Sequence, residues 1–310
     1  MARRVAAREV ASTATVTSRL TPLFLAVAIL SWGGNWILMK LIVGDLPAIA
    51  FSLLRVAGAA VVVVTLLIVT RRPLLPLPEE RLPLAAIGWL QVAALLSLGI
   101  LGLHYVQTGR AVVLTYTMQI WTIPLERWLV GHRISGVRLV GAAVSLAGLL
   151  LYMEPGLIDW RDPDTLIGNA ILLSSAVVWA LGACLYRRRA WRSEVWTQTA
   201  WQLLVSVPPL ALVALIGWDR PIVWSAKLLA VFVINWTVPT ALAYWCWSRV
   251  LMAMPAATAG QWLLLTPVFA YVASVFIFGD PVTPAIVASI ALILAGLLLT
   301  VRATARTQSR

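Results

Sequence analysis

The sequence predicts an all-α polytopic membrane protein with ten transmembrane helices arranged as two inverted five-helix repeats. Three observations carry that reading. Of 310 residues, 61% are hydrophobic and only 12% charged, with a mean hydropathy of +0.90. Soluble domains run nearer half apolar and a quarter charged. Sixteen tryptophans suit a chain that crosses lipid–water interfaces, where indole rings collect. Basic and acidic residues alternate between successive gaps along the chain.

A span needs about 20 residues at 1.5 Å rise to cross roughly 30 Å of hydrocarbon. Cutting at charged and Pro/Gly-rich breaks predicts spans at 22–43, 47–70, 83–105, 106–130 and 134–153, then 166–186, 195–217, 225–248, 255–278 and 284–301. The third and fourth share one long apolar run. The N-terminal tail carries Arg3, Arg4, Arg8 and Arg19. Gaps on the same side carry Arg71, Arg72 and Arg81, then Arg133, then Arg187, Arg188, Arg189 and Arg192. The C-terminal tail adds Arg302, Arg306 and Arg310. The opposite gaps hold Asp45, then Glu154, Asp159, Asp162 and Asp164, then Asp219 and Asp280. The positive-inside bias therefore predicts a multi-pass protein of the cell's inner (plasma) membrane with both termini cytoplasmic. The first apolar run is long and lacks a small-residue cleavage site, so it reads as a span rather than a removed signal peptide.

The repeat is visible directly. The stretch "GHRISGVRLVGAAVSLAGLLL" from Gly131 aligns without a gap with "GDPVTPAIVASIALILAGLLL" from Gly279. At nearly the same offset Trp32 matches Trp179, and Arg55 matches Gln202. Five crossings per copy is an odd number, so the second copy sits upside down, the arrangement of many alternating-access carriers. The predicted organisation is a cytoplasmic basic tail (1–21), a first repeat (22–153), an acidic external linker (154–165), a second repeat (166–301) and a cytoplasmic basic tail (302–310).

Several functions are excluded by what the chain lacks. A net charge of +12 would suggest nucleic acid in a soluble protein, but here most Lys and Arg sit in gaps where they orient helices. Cys184 and Cys246 lie inside apolar runs with no CxxC and no His cluster, so neither a disulfide framework nor a metal site is predicted. With no HExxH, no acids at metal spacing, no GxSxG and no Gly-rich phosphate loop, the chain reads as a non-enzyme without cofactors. Its expected partners are a small-molecule substrate and the lipid bilayer, with the protein a monomer.

Polar residues inside the spans mark the candidate site. In the first span Gly33 and Gly34 remove side-chain bulk, and Asn35 is costly in lipid unless it finds a partner or faces a wet cavity. Ser31, Asn35 and Leu38 share one face, flanked by Trp32 and Trp36. Two readings stay open for Asn35: a ligand-facing stripe, or an interhelical hydrogen bond at a tight crossing. In the second span Arg55 costs roughly 2.5–3.5 kcal/mol on insertion scales and demands a carbonyl, an acid or a watery cleft. A substrate carboxylate is one answer; snorkelling and packing are the other. His104, the only histidine in a span, is the coupling candidate. In the fourth span Tyr116, Gln119, Ile123 and Glu126 fall on one face, with Glu126 expected to pair with Arg133 or another loop arginine. Tyr244, Trp245, Gln261 and Trp262 form a possible aromatic and amide lining for a mostly apolar solute. Pro267, with Gly33 and Gly34, is the predicted hinge. No acid lies deep in the membrane, which leans toward facilitated diffusion or exchange over proton coupling.

The motif "WGGNW", Arg55, "LHYVQTGRAVVLTYTMQIW" from Leu103 and "LLLTPVFAYVASVFIFGD" from Leu263, followed by the AGLLL helix, resemble the drug/metabolite transporter (DMT) superfamily in its EamA-type branch. Within it they are most similar to aromatic and neutral amino-acid exporters of the YddG type. The likeness covers nearly the whole chain outside the tails. It implies ten helices around a central cavity and export of small amphipathic metabolites, amino acids first, by alternating access. Same-fold carriage of drugs, sugars or phosphorylated metabolites is the alternative. The substrate-lining residues then comprise Asn35, Trp36, Arg55, Tyr116, Gln119, Trp179, Tyr244, Trp245, Gln261 and Trp262. Two positions depart from the family pattern. Gln119 stands where Pro usually follows "YTM", although the second copy keeps Pro267. His132 and Asp280 stand where Glu is common after the closing glycines.

Overall fold

The computed structural model describes the backbone of residues 2–42, 44–106, 108–131, 135–152 and 161–308, and the side chains of 20–42, 44–106, 111–131, 135–152 and 161–302. Every regular element among them is helical: α1 (Ala2–Ile42), α2 (Ala48–Val69), α3 (Pro78–Leu103), α4 (Thr108–Tyr116), α5 (Met118–Val130), α6 (Gly136–Tyr152), α7 (Pro163–Arg188), α8 (Val195–Gly217), α9 (Ala226–Ala253), α10 (Ala256–Phe278) and α11 (Pro284–Gln308).

Eight helices among the described residues are long and apolar enough to cross a membrane: the Leu20–Ile42 part of α1, then α2, α3, α7, α8, α9, α10, and Pro284–Arg302 of α11. This count differs from ten at the fourth and fifth predicted spans. The fourth is broken at Thr117 into α4 and α5, of 9 and 13 residues, and α6 has only 17. The break has a local cause: the Thr117 hydroxyl donates to the Leu114 carbonyl at 2.6 Å, and ψ of −14° tightens the turn. A second difference lies at the start. Helix α1 begins at Ala2 and runs through the basic stretch into the Leu20–Ile42 segment that is long and apolar enough to cross.

The two halves share local geometry. Helix α10 is interrupted at Leu264 (ψ −16°), close to the position equivalent to Thr117. Gly131 and Gly279 both end their helices with positive φ, 76° and 71°, a conformation that costs glycine nothing for want of a Cβ. Helices α3 and α9 each contain a π-helical turn, at Trp89–Ala94 and Trp236–Leu242. Each turn opens on a tryptophan that donates to a helix of the other half: Trp89 Nε1 to the Val205 carbonyl at 2.7 Å, Trp236 Nε1 to that of Leu54 at 2.9 Å.

Helices α6 and α11 cross antiparallel through small residues. The Ser289 hydroxyl donates to the Gly148 carbonyl at 2.6 Å, Ser145 donates to Ile293 O at 3.3 Å, and Gly141 faces Gly296 and Thr300. The gapless alignment pairs Gly141 with Ser289, Ser145 with Ile293, and Gly148 with Gly296. It therefore converts the Gly148–Ser289 contact into the Gly296–Gly141 contact and returns Ser145–Ile293 to itself, as a local two-fold axis requires. Close backbone approach through glycine and serine is how helices associate in lipid, where apolar burial gives no drive.

Candidate functional site

Helices α1, α2 and α9 meet along a continuous chain of buried polar groups. Arg55 Nε donates to Thr240 Oγ1 at 2.9 Å, and Thr240 donates to Asn235 Oδ1 at 3.2 Å. Asn235 Nδ2 donates to Asn35 Oδ1 at 2.5 Å, and Asn35 Nδ2 points to Met39 Sδ at 3.4 Å. Arg55, Thr240, Asn235 and Asn35 are all 7% exposed or less. Asn35 thus has the interhelical partner that one reading demanded. Beside it Trp32 Nε1 donates to the Pro239 carbonyl at 3.0 Å, anchoring α1 to the π-helical turn of α9.

The glycine pair divides. A Cβ on Gly33 would lie 2.5 Å from Phe269 Cδ1 and 3.1 Å from Thr266 O, whereas one on Gly34 would meet nothing within 4 Å. Gly33 alone allows α1 to approach α10. Gly33→Val is expected to cost about 1–3 kcal/mol by overpacking. Gly34→Ala should be neutral or, by helix propensity, stabilise by up to about 1 kcal/mol. Thermal unfolding of the two variants in detergent checks this contrast, and equal melting points would remove the crossing from the account.

The predicted face of α4 and α5 is buried, with Tyr116 at 6%, Gln119 at 1%, Ile123 at 7% and Glu126 at 1% exposure. Trp36 Nε1 donates to the Tyr116 hydroxyl at 3.2 Å, with Thr266 beside it. Arg55 lies within electrostatic reach of Tyr116 and Tyr244. Gln119 is different: among the described residues neither its Oε1 nor its Nε2 finds a partner. Its Oε1 rests against Gly260, where an added Cβ would stand 2.6 Å away. Gln261 Oε1 is buried and equally unpaired among the described residues. Each such group costs about 1–3 kcal/mol, so water or a polar solute belongs there.

Glu126 corrects an expectation. Its two carboxylate oxygens accept the N–H groups of Ala256 (3.1 Å) and Ala257 (2.8 Å), so it caps the start of α10. An anion is favoured there because the first N–H groups of a helix are unpaired and carry the positive end of its dipole. Arg133, the partner proposed from sequence, lies outside the described residues.

The remaining predicted residues scatter. Tyr244 is buried with its ring edge-on to Trp32 at 5.7 Å, and its hydroxyl points to the Gln91 carbonyl at 3.4 Å. Trp179 is stacked on Trp247 at 5.2 Å inside the core, away from open space. Trp245 joins a separate cluster, stacked on Trp196 at 5.0 Å and edge-on to Phe24. Trp262 is half-buried against the main core. His104 is exposed at the end of α3 with Nδ1 3.1 Å from Ile100 O, so the structure does not bring it to the buried chain. Pro267 falls just after the Leu264 break, where the helix restarts and a missing N–H costs least.

Sequence reasoning passed over Asn235 and Thr240. An asparagine inside an apolar run was a signal for Asn235, as it was for Asn35. A spacing of five, however, does not keep two residues on one face of a 3.6-residue turn. The wider π-helical turn between them brings both side chains together.

At the end of α1 beyond Asn35, Lys40 Nζ lies 2.8 Å from both oxygens of Asp280 and 3.2 Å from Ser274 Oγ, over the Phe278 ring. The hydrogen bonds from Lys40 and then Ser274 hold the Asp280 carboxyl below the usual carboxylate range. A depressed folded value means that this cluster stabilises fully above the ordinary aspartate value of 3.8 and loses that contribution as pH falls through the lowered value. Asp280→Asn should therefore melt below wild type at neutral pH, by under about 1 kcal/mol for so exposed a pair, and the two melting curves should converge in acid.

Where the sequence predicts a central cavity, Asn35 and Asn235 are hydrogen-bonded to each other. A cavity of about 460 Å³ opens instead between α5 and α6, lined by Ile120, Ile123, Pro124, Leu139 and Leu146, with Arg127 at its edge.

Apolar helices of spanning length, assembled from two similar halves with a buried polar seam between them, define a polytopic helical membrane protein. The model of the EamA-like transporter family matches residues 11–153 and again 166–302, and the chain belongs to that family. It is 24% identical to the uncharacterized transporter YvbV of Bacillus subtilis, covering 90% of each chain. It is 24% identical to the uncharacterized transporter YoaV of the same organism, over 78% of this chain and 82% of the relative. It is 27% identical to the uncharacterized protein PA1977 of Pseudomonas aeruginosa, over 89% and 95%. A protein crystal structure shares the fold with a TM-score of 0.80 at 19% identity, over 93% of this chain and 98% of the other.

Proposed function

We propose that this membrane transporter is a secondary carrier of ten crossings, two inverted five-helix halves, with both termini cytoplasmic in the cell's inner membrane. It exports small amphipathic metabolites, aromatic and neutral amino acids first, by alternating access and as a monomer. Support for the inversion comes from the two-fold contact pattern of α6 and α11. The observation that carries the solute site is Gln119: an amide 1% exposed, unpaired at both ends, between the halves. Three residues earlier on the same buried face, Tyr116 accepts a hydrogen bond from Trp36, the mix of aromatic rings and few polar handles that a mostly apolar solute requires. Phosphorylated substrates need several free cations, and Lys40 is engaged by Asp280.

The test is uptake of a labelled amino-acid panel into proteoliposomes, with wild type beside an Asn35→Ala, Gln119→Ala double variant. Wild type should move several amino acids and the variant should lose or reshuffle them. No uptake by folded wild type removes the amino-acid reading. Gln119→Met separates site from scaffold. Removing an unpaired amide should raise stability by about 1–3 kcal/mol while transport falls, the trade expected of a residue kept for binding.

A further inference from the structure

Arg55 is a cation 7% exposed in the membrane-spanning part of α2, and among the described residues no carboxylate lies within salt-bridge distance of it. Among the described residues its hydrogen bond goes from Nε to a neutral hydroxyl, Thr240 Oγ1. The other nearby groups are the phenols of Tyr116 and Tyr244. A guanidinium carries five N–H donors in a planar fork matched to a carboxylate. Burying that charge without a counter-ion is among the most expensive arrangements a protein can hold.

The halves differ at this point, although the repeat relates them. The position equivalent to Arg55 in the second half is Gln202, a neutral amide that is also buried, with Nε2 unpaired. The chain Thr240–Asn235–Asn35 fixes Arg55 from one side only, through Nε, so it orients the fork rather than neutralising it. Lys40, towards the C-terminal end of α1, is taken by Asp280. Among the described residues Arg55 is therefore a buried cation without a carboxylate partner, with the phenols of Tyr116 and Tyr244 in its surroundings.

We infer that Arg55 binds the single carboxylate of the transported solute, so that the carrier selects monocarboxylates and zwitterions over neutral amides, amines and multiply charged phosphates. This rests on the carrier reading above. Thr240 and Asn235 act as positioning residues, and Tyr116 and Tyr244 supply hydroxyls beside the carboxylate.

The experiment is ligand-dependent thermal stabilisation and equilibrium binding on purified protein in detergent at fixed salt. Four probes share one ring: L-phenylalanine, phenylacetate, L-phenylalaninamide and 2-phenylethylamine, with a separate chloride titration. The expected result is binding of the two carboxylates, with the amide and amine roughly 10- to 100-fold weaker, the factor for one hydrogen-bonded charge. Arg55→Lys should keep part of the preference and Arg55→Gln abolish it. If Arg55→Gln does not fold, the wild-type ranking together with Arg55→Lys decides. Equal binding of phenylalanine and its amide, carboxylate binding unchanged in Arg55→Gln, stabilisation by chloride alone, or no binding of either carboxylate to folded wild type each overturns the inference. Uptake of amines or neutral solutes without carboxylate binding would overturn it while leaving the carrier reading intact. Carboxylate binding without uptake would do the reverse.

Discussion

Asn235→Leu is expected to abolish most transport and lower stability by about 1–3 kcal/mol, the cost of leaving buried partners unsatisfied. The substitution is close in size, so packing changes little and the loss reports the polar chain. Asn35 Oδ1 loses its donor and the Thr240 hydroxyl its acceptor. Thr240, no longer held, ceases to fix Arg55 Nε. Hydrogen bonds between membrane helices average about 0.6 kcal/mol with a maximum near 2, so the stability change alone would be modest. The transport loss should be larger than stability predicts, because one misplaced guanidinium removes the charge that the solute meets. Parallel unfolding and proteoliposome uptake separate the two effects. If uptake survives while the protein melts lower, the chain is structural only.

Glu126→Ala is expected to be the most destabilising single change at the junction of the halves, by about 2–4 kcal/mol. Two buried N–H groups at the start of α10 lose a charged acceptor at once, and each charge-assisted bond is worth about 1.5–3 kcal/mol. Loss of a helix cap alone typically costs about 1 kcal/mol. Glu126→Gln keeps one carbonyl acceptor and should recover part of the loss. Chemical or thermal unfolding in detergent measures the series, and an unchanged Glu126→Ala melting point would mean that water replaces the carboxylate. The effect should reach Gln261 and Thr266, which follow on the same helix.

These two residues show where sequence reasoning stops. Glu126 was read as sharing a face with Tyr116 and Gln119 and pairing with a loop arginine, but its partner is a helix end more than a hundred residues away. A carboxylate near loop arginines suggests an ion pair, and only the approach of α10 reveals the N–H pair that outcompetes it. Gln119 was singled out because an amide replaced a proline in a span. That it has no partner among the described residues became apparent only once Gly260 was seen against it.

Local chemistry was legible in the residues themselves. The spans predicted at 47–70, 195–217 and 255–278 correspond to helices Ala48–Val69, Val195–Gly217 and Ala256–Phe278. Hydropathy and helix-ending residues act over a few positions, so they can be read without knowing the fold. The gapless match through Gly131 and Gly279 likewise located two helix ends with the same left-handed geometry. The break at Thr117 was missed, because a hydroxyl turned back onto its own backbone leaves no mark in hydropathy.

What the sequence by itself determined is the helical membrane class, most helix limits and the internal repeat, since each follows from short-range hydropathy, turn chemistry and self-similarity. Only the tertiary structure decided which glycine packs, which carboxylate caps, and that Asn35, Asn235, Thr240 and Arg55 form one chain. Those pairings join residues some 185 to 200 positions apart and depend on a π-helical turn that resets the phase of α9. A pattern of polar residues announces that partners must exist; the approach of the helices chooses them.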